Sequence, residues 1–189
     1  MAWPPAGVTP PQTAMARNIE IKARIDSVEG LAGPVRALAD GPPVELFQDD
    51  TFFSCATGRL KLRVCNGEGE LIGYERPDAP GPRESRYVRC AAPRPEELRQ
   101  VLARTLGVRG RVVKRRLLFL RGQTRIHLDR VEGLGDFLEL EVVLREDQTA
   151  REGTAVAEDI FARLGLAPAS RVAVAYRDLL EQAGRDAAS

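Results

Sequence analysis

The sequence predicts an α+β domain built around one antiparallel sheet of about eight strands. Three observations support this class. Segments in which polar and apolar residues alternate recur along the chain, as in half-buried strands. Many of these segments are separated by turns of hairpin length, which join antiparallel neighbours. Helical patterns lie between the earlier strands and at the C-terminus, and 189 residues are enough for one substantial domain.

The first half of the chain begins with an alternating segment and contains the strongest hairpin signal. Polar and apolar side chains alternate over residues 17–25. A helix over residues 26–40 then starts at Asp26 or Ser27, because both residue types are preferred N-caps. Asn66-Gly67 supplies a hairpin turn. The predicted strands of this half cover residues 17–25, 44–54, 59–64, 71–77 and 83–90.

The second half places helices before and after three consecutive strands. A helix over residues 92–107 has proline near its start and Gly107 at its C-cap. Turns at Gly122 and at 133–135 separate the strands, which cover residues 111–121, 124–131 and 136–144. Two further helices cover 154–165 and 171–184. The prolines of residues 1–15 predict a loose tail, so we place a single folded domain at residues 16–184.

One face of the predicted strands is almost entirely charged. Solvated faces usually mix in Ser, Thr and Gln, whereas these positions carry full charges sorted into basic and acidic strands. Three of the 28 basic residues are lysine, and all three lie on this face, where a compact point charge is favoured over a planar fork. The cations are Lys22, Arg59, Lys61, Arg63, Lys114, Arg116 and Arg125, and the carboxylates are Glu20, Asp129, Glu139 and Glu141.

A sheet with such a face can form two structures. In one, helices cover the apolar face and the charged face meets solvent. In the other, eight strands close into a barrel whose interior has room for side chains or one small ligand. The charges would then line the interior, and the predicted helices would cover the apolar outside. The sorting of the charges favours the barrel.

Glu139 and Glu141 indicate what such an interior could bind. They stand two residues apart on one strand, which separates them by about 7 Å. Two bare carboxylates at that distance repel by roughly 2 kcal/mol at an effective dielectric constant of about 20. Protonation, neighbouring arginines or a divalent cation would relieve the repulsion. Because Mg²⁺ shares carboxylate oxygens with phosphate and water, the pattern points to a polyphosphate ligand, with an internal salt-bridge lattice as the alternative.

Composition narrows the choice of partners. A net charge of +1 gives no overall attraction to nucleic acid or to an acidic membrane. No apolar run approaches the ~20 residues of a membrane span, and the N-terminus lacks the pattern of a secretory signal. Three cysteines without metal-site or disulfide spacing are typical of a reducing compartment. We expect a cytoplasmic monomer or homodimer that binds a small molecule.

Several motifs follow one another in order along about residues 16–182. They are NIEIK (18–22), QDDTFF (48–53), LKLR (60–63), VKRR (113–116), RIHLDRV (125–131), LGDFLELEV (134–142) and AYRDLL (175–180). This ordered set resembles the CYTH family of triphosphate tunnel metalloenzymes, whose first strand carries the motif ExExK. The family includes class IV adenylyl cyclases, thiamine triphosphatases and inorganic triphosphatases.

The resemblance implies an eight-stranded antiparallel tunnel that binds a triphosphate together with Mg²⁺ or Mn²⁺. It implies that Glu20, Glu139 and Glu141 hold the metal, with Asp129 nearby as a fourth metal residue. It also implies catalytic roles for Glu20, Lys22, Glu139 and Glu141. The side chains implied to contact the triphosphate are Lys22, Lys61, Arg63, Lys114, Arg116 and Arg125, with Arg59 on the same face.

Five other positions carry separate expectations. Asn18 replaces the first acid of ExExK, which removes one negative charge from the metal site. Arg76 enters the tunnel only if its strand contains a bulge, and Arg171 is the candidate for a basic residue that closes one tunnel mouth. His127 faces inward, as a hydrogen-bonding spacer or as a proton carrier. Tyr176 is assigned to the packing of the last helix.

These patterns leave three functions open. The first, which we favour, is a metal-dependent hydrolase of inorganic, thiamine or nucleoside triphosphate, in which water attacks. The second is an adenylyl cyclase, in which the ribose 3′-hydroxyl of ATP attacks and cyclic AMP and pyrophosphate are released. The third is a non-catalytic polyphosphate-binding module, which the missing acid at Asn18 makes conceivable.

Overall fold

Eight antiparallel strands close into a barrel in the structure, a computed structural model that describes residues 16–75 and 82–186. The strands are β1 (Ala16–Arg24), β2 (Val44–Phe53), β3 (Arg59–Cys65), β4 (Glu68–Glu75), β5 (Arg83–Ala91), β6 (Val108–Arg121), β7 (Thr124–Val131) and β8 (Gly135–Val143). Around the barrel the strand order is β1-β5-β4-β3-β2-β6-β7-β8, and β8 pairs with β1 to complete the ring. The predicted antiparallel barrel is confirmed.

Helices pack against the outside of this barrel, and their starts follow the local sequence. The hydroxyl of Ser27 accepts a hydrogen bond from the Gly30 N–H at the start of the first helix. Thr149 and Glu152 form a reciprocal capping box, which begins the third helix four residues before the predicted residue 154. The helices are α1 (Val28–Leu38), α2 (Pro95–Leu106), α3 (Ala150–Arg163) and α4 (Tyr176–Asp186), with a 3₁₀ turn at Pro168–Ser170.

The largest apolar core lies between the barrel wall and helices α1 and α3. The outward side chains of β8 include Leu138 and Leu140, which have no exposed surface. Val35 of α1 and Phe161 of α3 pack against this wall. Because the helices bury the apolar outer face of the strands, the opposite face of each strand is directed into the barrel.

Glycine and asparagine occur where the backbone turns in the left-handed region. Asn66 and Gly67 have φ values of 49° and 90°, so both central residues of the β3–β4 hairpin are in the conformation that a type I′ turn requires. Gly107 ends α2 with φ 77°. These two predictions are confirmed.

The chain between the 3₁₀ turn and α4 differs from the prediction. Residues 171–175 were expected to begin the last helix, but α4 begins at Tyr176. Arg171 forms a bridge with Ala23 of β1, and the Val172 N–H donates to the Lys22 carbonyl at 2.9 Å. The backbone of this β-branched segment therefore finds its partners beside the barrel instead of within a helix.

Two sequence predictions fall on parts of the chain outside the described residues. The tail at residues 1–15 is one, and Arg76 is the other, because β4 is described as far as Glu75. None of the described helices is both long enough and apolar enough to cross a membrane.

Candidate functional site

The barrel encloses a cavity of about 190 Å³, and every strand contributes side chains to its wall. The contributing residues alternate along each strand, as the sequence pattern predicts for an inward face. Seven of the lining side chains are cations and five are carboxylates. The cations are Lys22, Lys61, Arg63, Arg89, Lys114, Arg116 and Arg125, and the carboxylates are Glu20, Asp50, Glu70, Glu139 and Glu141.

The two glutamates of β8 lie at the centre of a candidate metal site. A ring nitrogen of His127 and one oxygen from each of Glu139 and Glu141 lie within 4.8 Å of one another. Strand register brings these groups together, since His127 stands opposite Glu139, and Glu20 of β1 stands opposite Glu141. Nitrogen and carboxylate donors at this spacing fit a divalent cation.

Basic side chains hold both of these glutamates. Arg116 donates to Glu139 Oε2 at 2.7 Å, and Lys22 Nζ lies 3.5 Å from Glu139 Oε1. Arg125 donates to Glu141 Oε2 at 3.0 Å and reaches the Tyr87 hydroxyl at 3.3 Å. The cations of the cavity are therefore already close to the carboxylates between which a metal would lie.

The charged state of these carboxylates is favoured by their neighbours. Burial acts to raise the pKa of Glu141, but Arg125 together with the other nearby basic groups outweighs it and lowers the pKa to about 2. Burial likewise opposes ionisation of Glu139, and Lys22 with Arg116 still holds its pKa well below the usual range. Both side chains are consequently ionised near neutral pH and can act as oxygen ligands.

Asp129, predicted as a fourth metal ligand, is placed differently. It has no exposed surface and is not among the residues that line the cavity. Arg116 donates to both of its oxygens, at 2.5 and 2.6 Å, and Lys114 donates to Oδ2 at 3.0 Å. The Tyr176 hydroxyl also donates to Oδ2, at 3.0 Å. This carboxylate shares the inward parity of Arg125 and His127 on β7, but it has no exposed surface and its oxygens accept hydrogen bonds from three side chains that line the cavity.

Asp50, which the sequence prediction did not assign to the site, anchors a second pair of cations. Arg63 donates to both Asp50 oxygens at 2.8 Å, and Lys61 donates to Oδ2 at 2.9 Å. Burial acts against the charge, but Arg63 and Lys61 keep the pKa of Asp50 far below its usual range. A signal was present in the sequence, because Asp50 shares its strand parity with Gln48, which is also inward-facing.

Tyr176 does more than pack the last helix. Its ring packs edge-on against Phe137, with 4.9 Å between the centroids, as the predicted packing role requires. The same ring also lines the cavity, with Lys22 Nζ 4.0 Å and Lys114 Nζ 5.0 Å from its centroid. Burial, and then the charge of Asp129, raises the pKa of the Tyr176 hydroxyl well above its usual value.

The remaining predicted residues divide between the cavity and its surroundings. Asn18 and Glu20 line it, whereas Arg59 is not among the lining residues within the described part of the chain. Arg171 forms an ion pair with Glu158 of α3 and stacks 4.6 Å from the Phe161 ring. The prediction that Arg171 closes a tunnel mouth is therefore wrong, because its side chain faces the helical layer.

Comparisons with known proteins agree with this fold and cavity. The CYTH domain matches residues 16–176, so the chain belongs to the CYTH domain family. It is 26% identical over 174 residues to a protein called adenylate cyclase CyaB from Aeromonas hydrophila, and the match covers 87% of this chain and 89% of that protein.

Solved structures show the same architecture. The PH1012 protein of Pyrococcus horikoshii OT3 is 25% identical and superposes with a TM-score of 0.77 over 86% of this chain and 99% of its own. A putative adenylyl cyclase from Hippeastrum, described as having a dominant triphosphatase activity, is 13% identical with a TM-score of 0.59, covering 89% and 96% of the two chains. At that identity the second likeness is evidence for the fold alone.

Proposed function

We propose that this protein is a divalent-metal-dependent triphosphatase that binds and cleaves a small triphosphate inside its barrel. The observation that carries the proposal is that seven cationic side chains line the same cavity as the neighbouring carboxylates of Glu139 and Glu141. Even with the buried Asp129 counted, the cations outnumber the carboxylates. A ligand with several negative charges would complement this excess.

The proposed phosphate contacts are cations that the fold already holds in place. Because Asp129 and Asp50 accept hydrogen bonds from these cations, the cations are oriented before any ligand arrives. Preorganised donors of this kind stabilise the charge that spreads over the phosphoryl oxygens during transfer. The proposed contacts are Lys22, Lys61, Arg63, Lys114, Arg116 and Arg125.

Glu20, Glu139 and Glu141 are the carboxylates that we propose as metal ligands. All three line the cavity, and register places Glu20 directly opposite Glu141. Their hard oxygen donors suit Mg²⁺ or Mn²⁺. A bound divalent ion would supply Lewis-acid stabilisation of phosphoryl charge. Asp129 leaves this proposed set, because three other side chains donate to its oxygens.

Adenylyl cyclase activity is the second candidate, and two observations favour it. The relative from Aeromonas hydrophila is called an adenylate cyclase. In addition, Tyr74 and Tyr87 stand opposite each other on β4 and β5, and both line the cavity, so they could pack against a nucleobase. In this reaction the ribose hydroxyl replaces water as the attacking group, while the metal and phosphate contacts stay the same.

Product analysis separates these functions. The protein is incubated with tripolyphosphate, thiamine triphosphate or ATP, each with Mg²⁺ or Mn²⁺. We expect release of inorganic phosphate from at least one of them. Formation of cyclic AMP and pyrophosphate from ATP would support the cyclase instead. Tight triphosphate binding without any product would support a non-catalytic module and contradict both enzymatic proposals.

Substitution of the β8 glutamates tests the site itself. Glu139→Gln and Glu141→Gln keep the side-chain shape and remove the charge, so we expect turnover to fall by roughly 10²-fold or more in each. Glu146→Gln, at an exposed position in the loop after β8, is the matched control and should keep full activity. Wild-type turnover in both β8 variants would contradict the assignment of the site.

A further inference from the structure

We infer that His127 is a metal ligand together with Glu139 and Glu141, and that its nitrogen makes the centre favour Mn²⁺ and Co²⁺ over Mg²⁺. The inference rests on the proposed metal-dependent function, which assigns only oxygen donors to the site. It adds a ligand of a different chemical type and a consequence for metal choice. From the sequence alone, His127 is predicted to be a hydrogen-bonding spacer or a proton carrier.

The position of the imidazole is the first support. His127 lies on β7 directly opposite Glu139 of β8, and it lines the cavity. One of its ring nitrogens lies within 4.8 Å of a carboxylate oxygen of Glu139 and of one from Glu141. Its side chain is 3% exposed, so its orientation is fixed by packing in the wall. A single ion could therefore be contacted by all three groups after small side-chain adjustments.

The hydrogen bonding of the imidazole is the second and independent support. Within the described residues, Nδ1 of His127 is buried and has no hydrogen-bond partner. Its nearest acidic oxygen, Glu139 Oε2, lies 3.8 Å away, which is too long for a hydrogen bond. Buried polar atoms nearly always have a partner, so an unpaired nitrogen beside two carboxylates is the arrangement expected of a ligand position.

The sequence supplies a reason for a nitrogen donor here. Asn18 stands where the family motif has its first acid, so the first strand offers one carboxylate fewer. On β1, Asn18 stands opposite Val143, two residues along β8 from Glu141. On the other side of β8, His127 stands opposite Glu139. The imidazole can thus add a fourth donor to Glu20, Glu139 and Glu141 without adding a negative charge.

The type of donor atom determines which metal ion the site binds more tightly. Mg²⁺ prefers six oxygens in near-ideal geometry, and an imidazole nitrogen is a poor exchange for one of them. Mn²⁺ accepts mixed nitrogen and oxygen donors, and Co²⁺ binds such sites more tightly, in line with the usual order of divalent affinities. We therefore expect affinity to increase from Mg²⁺ to Mn²⁺ to Co²⁺, and the increase to depend on His127.

The experiment measures metal binding directly, by calorimetric titration of the full chain with MgCl₂, MnCl₂ and CoCl₂ in the absence of triphosphate. In His127→Gln we expect the Kd for Co²⁺ and Mn²⁺ to rise by about tenfold or more, since loss even of an outer-shell partner costs about that much, and the Kd for Mg²⁺ to change much less. Cys65→Ser is the matched control, because this thiol lines the same cavity on β3, separated from β7 by β2 and β6. Its Kd values should equal those of the wild type.

A spectroscopic measurement on the wild type keeps the inference testable if the variant folds poorly. Electron spin-echo spectroscopy of the Mn²⁺-loaded protein should show coupling to a histidine nitrogen, and the chain has a single histidine. Absence of that coupling, or an unchanged Co²⁺ Kd in a folded His127→Gln variant, would overturn the inference. Nitrogen coupling without any turnover of a triphosphate would uphold the inference and overturn the proposed function, so the two failures are distinguishable.

Discussion

Two groups of side chains in the barrel wall have the same design and different surroundings. In each, an arginine stands directly opposite an aspartate on the next strand and binds both of its oxygens, and a lysine two residues before the arginine binds the same aspartate. We call them the Asp50 group (Asp50, Lys61 and Arg63) and the Asp129 group (Asp129, Lys114 and Arg116).

The two groups differ in their access to solvent. The side chains of Lys114 and Arg116 are 4% and 3% exposed, and Tyr176 adds a further hydrogen bond to their aspartate. Those of Lys61 and Arg63 are 16% and 19% exposed. The Asp129 group is therefore a sealed part of the wall, whereas the Asp50 group can exchange its aspartate for a ligand or for water at lower cost. This difference indicates that the Asp129 group holds its cations in fixed positions, whereas the cations of the Asp50 group can move to bind a ligand.

Removing the aspartate charge from each group should reveal the difference most clearly. Asp129→Asn leaves Lys114 and Arg116 buried with a lost counter-charge, so the free energy of unfolding should fall by about 3–5 kcal/mol. Asp50→Asn should cost on the order of 2 kcal/mol, because its cations can reach water. Urea denaturation of both variants beside the wild type measures the two losses. Equal losses would remove the distinction between the groups.

Low pH should reduce the stability that the carboxylates of the barrel interior provide. The folded pKa of Glu141 is about 2, below its ordinary value of 4.5, and those of Asp50 and Asp129 are also depressed. Groups with depressed pKa values stabilise the protein fully above the unfolded pKa and lose that contribution as pH falls through the folded value. The contribution of these carboxylates to the free energy of unfolding should therefore be level above about pH 5 and decrease toward pH 2, with Glu141 alone contributing on the order of 3 kcal/mol.

The matched control for this profile is Asp129→Asn, measured by denaturation at each pH. That variant lacks one of the depressed groups, so its profile should fall less steeply than that of the wild type. A wild-type stability that stays constant or increases between pH 5 and pH 2 would contradict the assigned charges.

The variant Tyr176→Phe tests how much the Tyr176 hydroxyl stabilises the Asp129 group. The variant keeps the ring beside Lys22 and Phe137 and removes the hydroxyl that donates to Asp129. A hydrogen bond to a buried charge contributes about 2 kcal/mol, and we expect a loss of that size in thermal or urea unfolding. In an Asp129→Asn background the same change should cost less, because the charged acceptor is absent. Identical costs in the two backgrounds would show that the hydroxyl acts independently of Asp129.

The contributions of the two groups to triphosphate binding can be compared with the variants Lys61→Ala and Lys114→Ala. The more exposed Lys61 should contribute mainly to affinity, so its loss should raise the KM for a cleaved triphosphate by about tenfold, or about 1.4 kcal/mol, with little effect on stability. Loss of Lys114 should lower stability as well, because Asp129 then keeps fewer partners. If Lys114→Ala raised only the KM and Lys61→Ala lowered the stability, the Asp129 group would be the one that adapts to the ligand.

Much of the fold could be predicted from sequence because a strand has a period of two residues. That period placed Lys22, Lys61, Arg63 and the β8 glutamates on one face, and sorting of the charges favoured closure of the sheet. The Asn66-Gly67 turn was predictable for a local reason, since its dihedral angles require those residue types. In each case the deciding physics lies within a few residues of chain.

The parts that failed depend on contacts between distant segments. Arg171 was expected at a tunnel mouth, but Val172 beside it hydrogen-bonds to β1, and the arginine is left facing Glu158. Tyr176 reaches the cavity for the same reason, because the extended segment delays the start of α4. Strand parity also could not show the surroundings of Asp129, because its burial and the hydrogen bond from Tyr176 depend on contact with the C-terminal segment.

A crystal structure with tripolyphosphate and Mn²⁺ would show where the triphosphate binds. We expect the anion inside the barrel, with its phosphate oxygens on Lys61, Arg63 and Lys22. Anomalous scattering should place Mn²⁺ against Glu139 and Glu141. Asp129 should remain bound to Lys114 and Arg116. An anion bound on the outside of the barrel, or a cavity whose internal ion pairs are unchanged at saturating tripolyphosphate and Mn²⁺, would contradict triphosphate binding in the cavity.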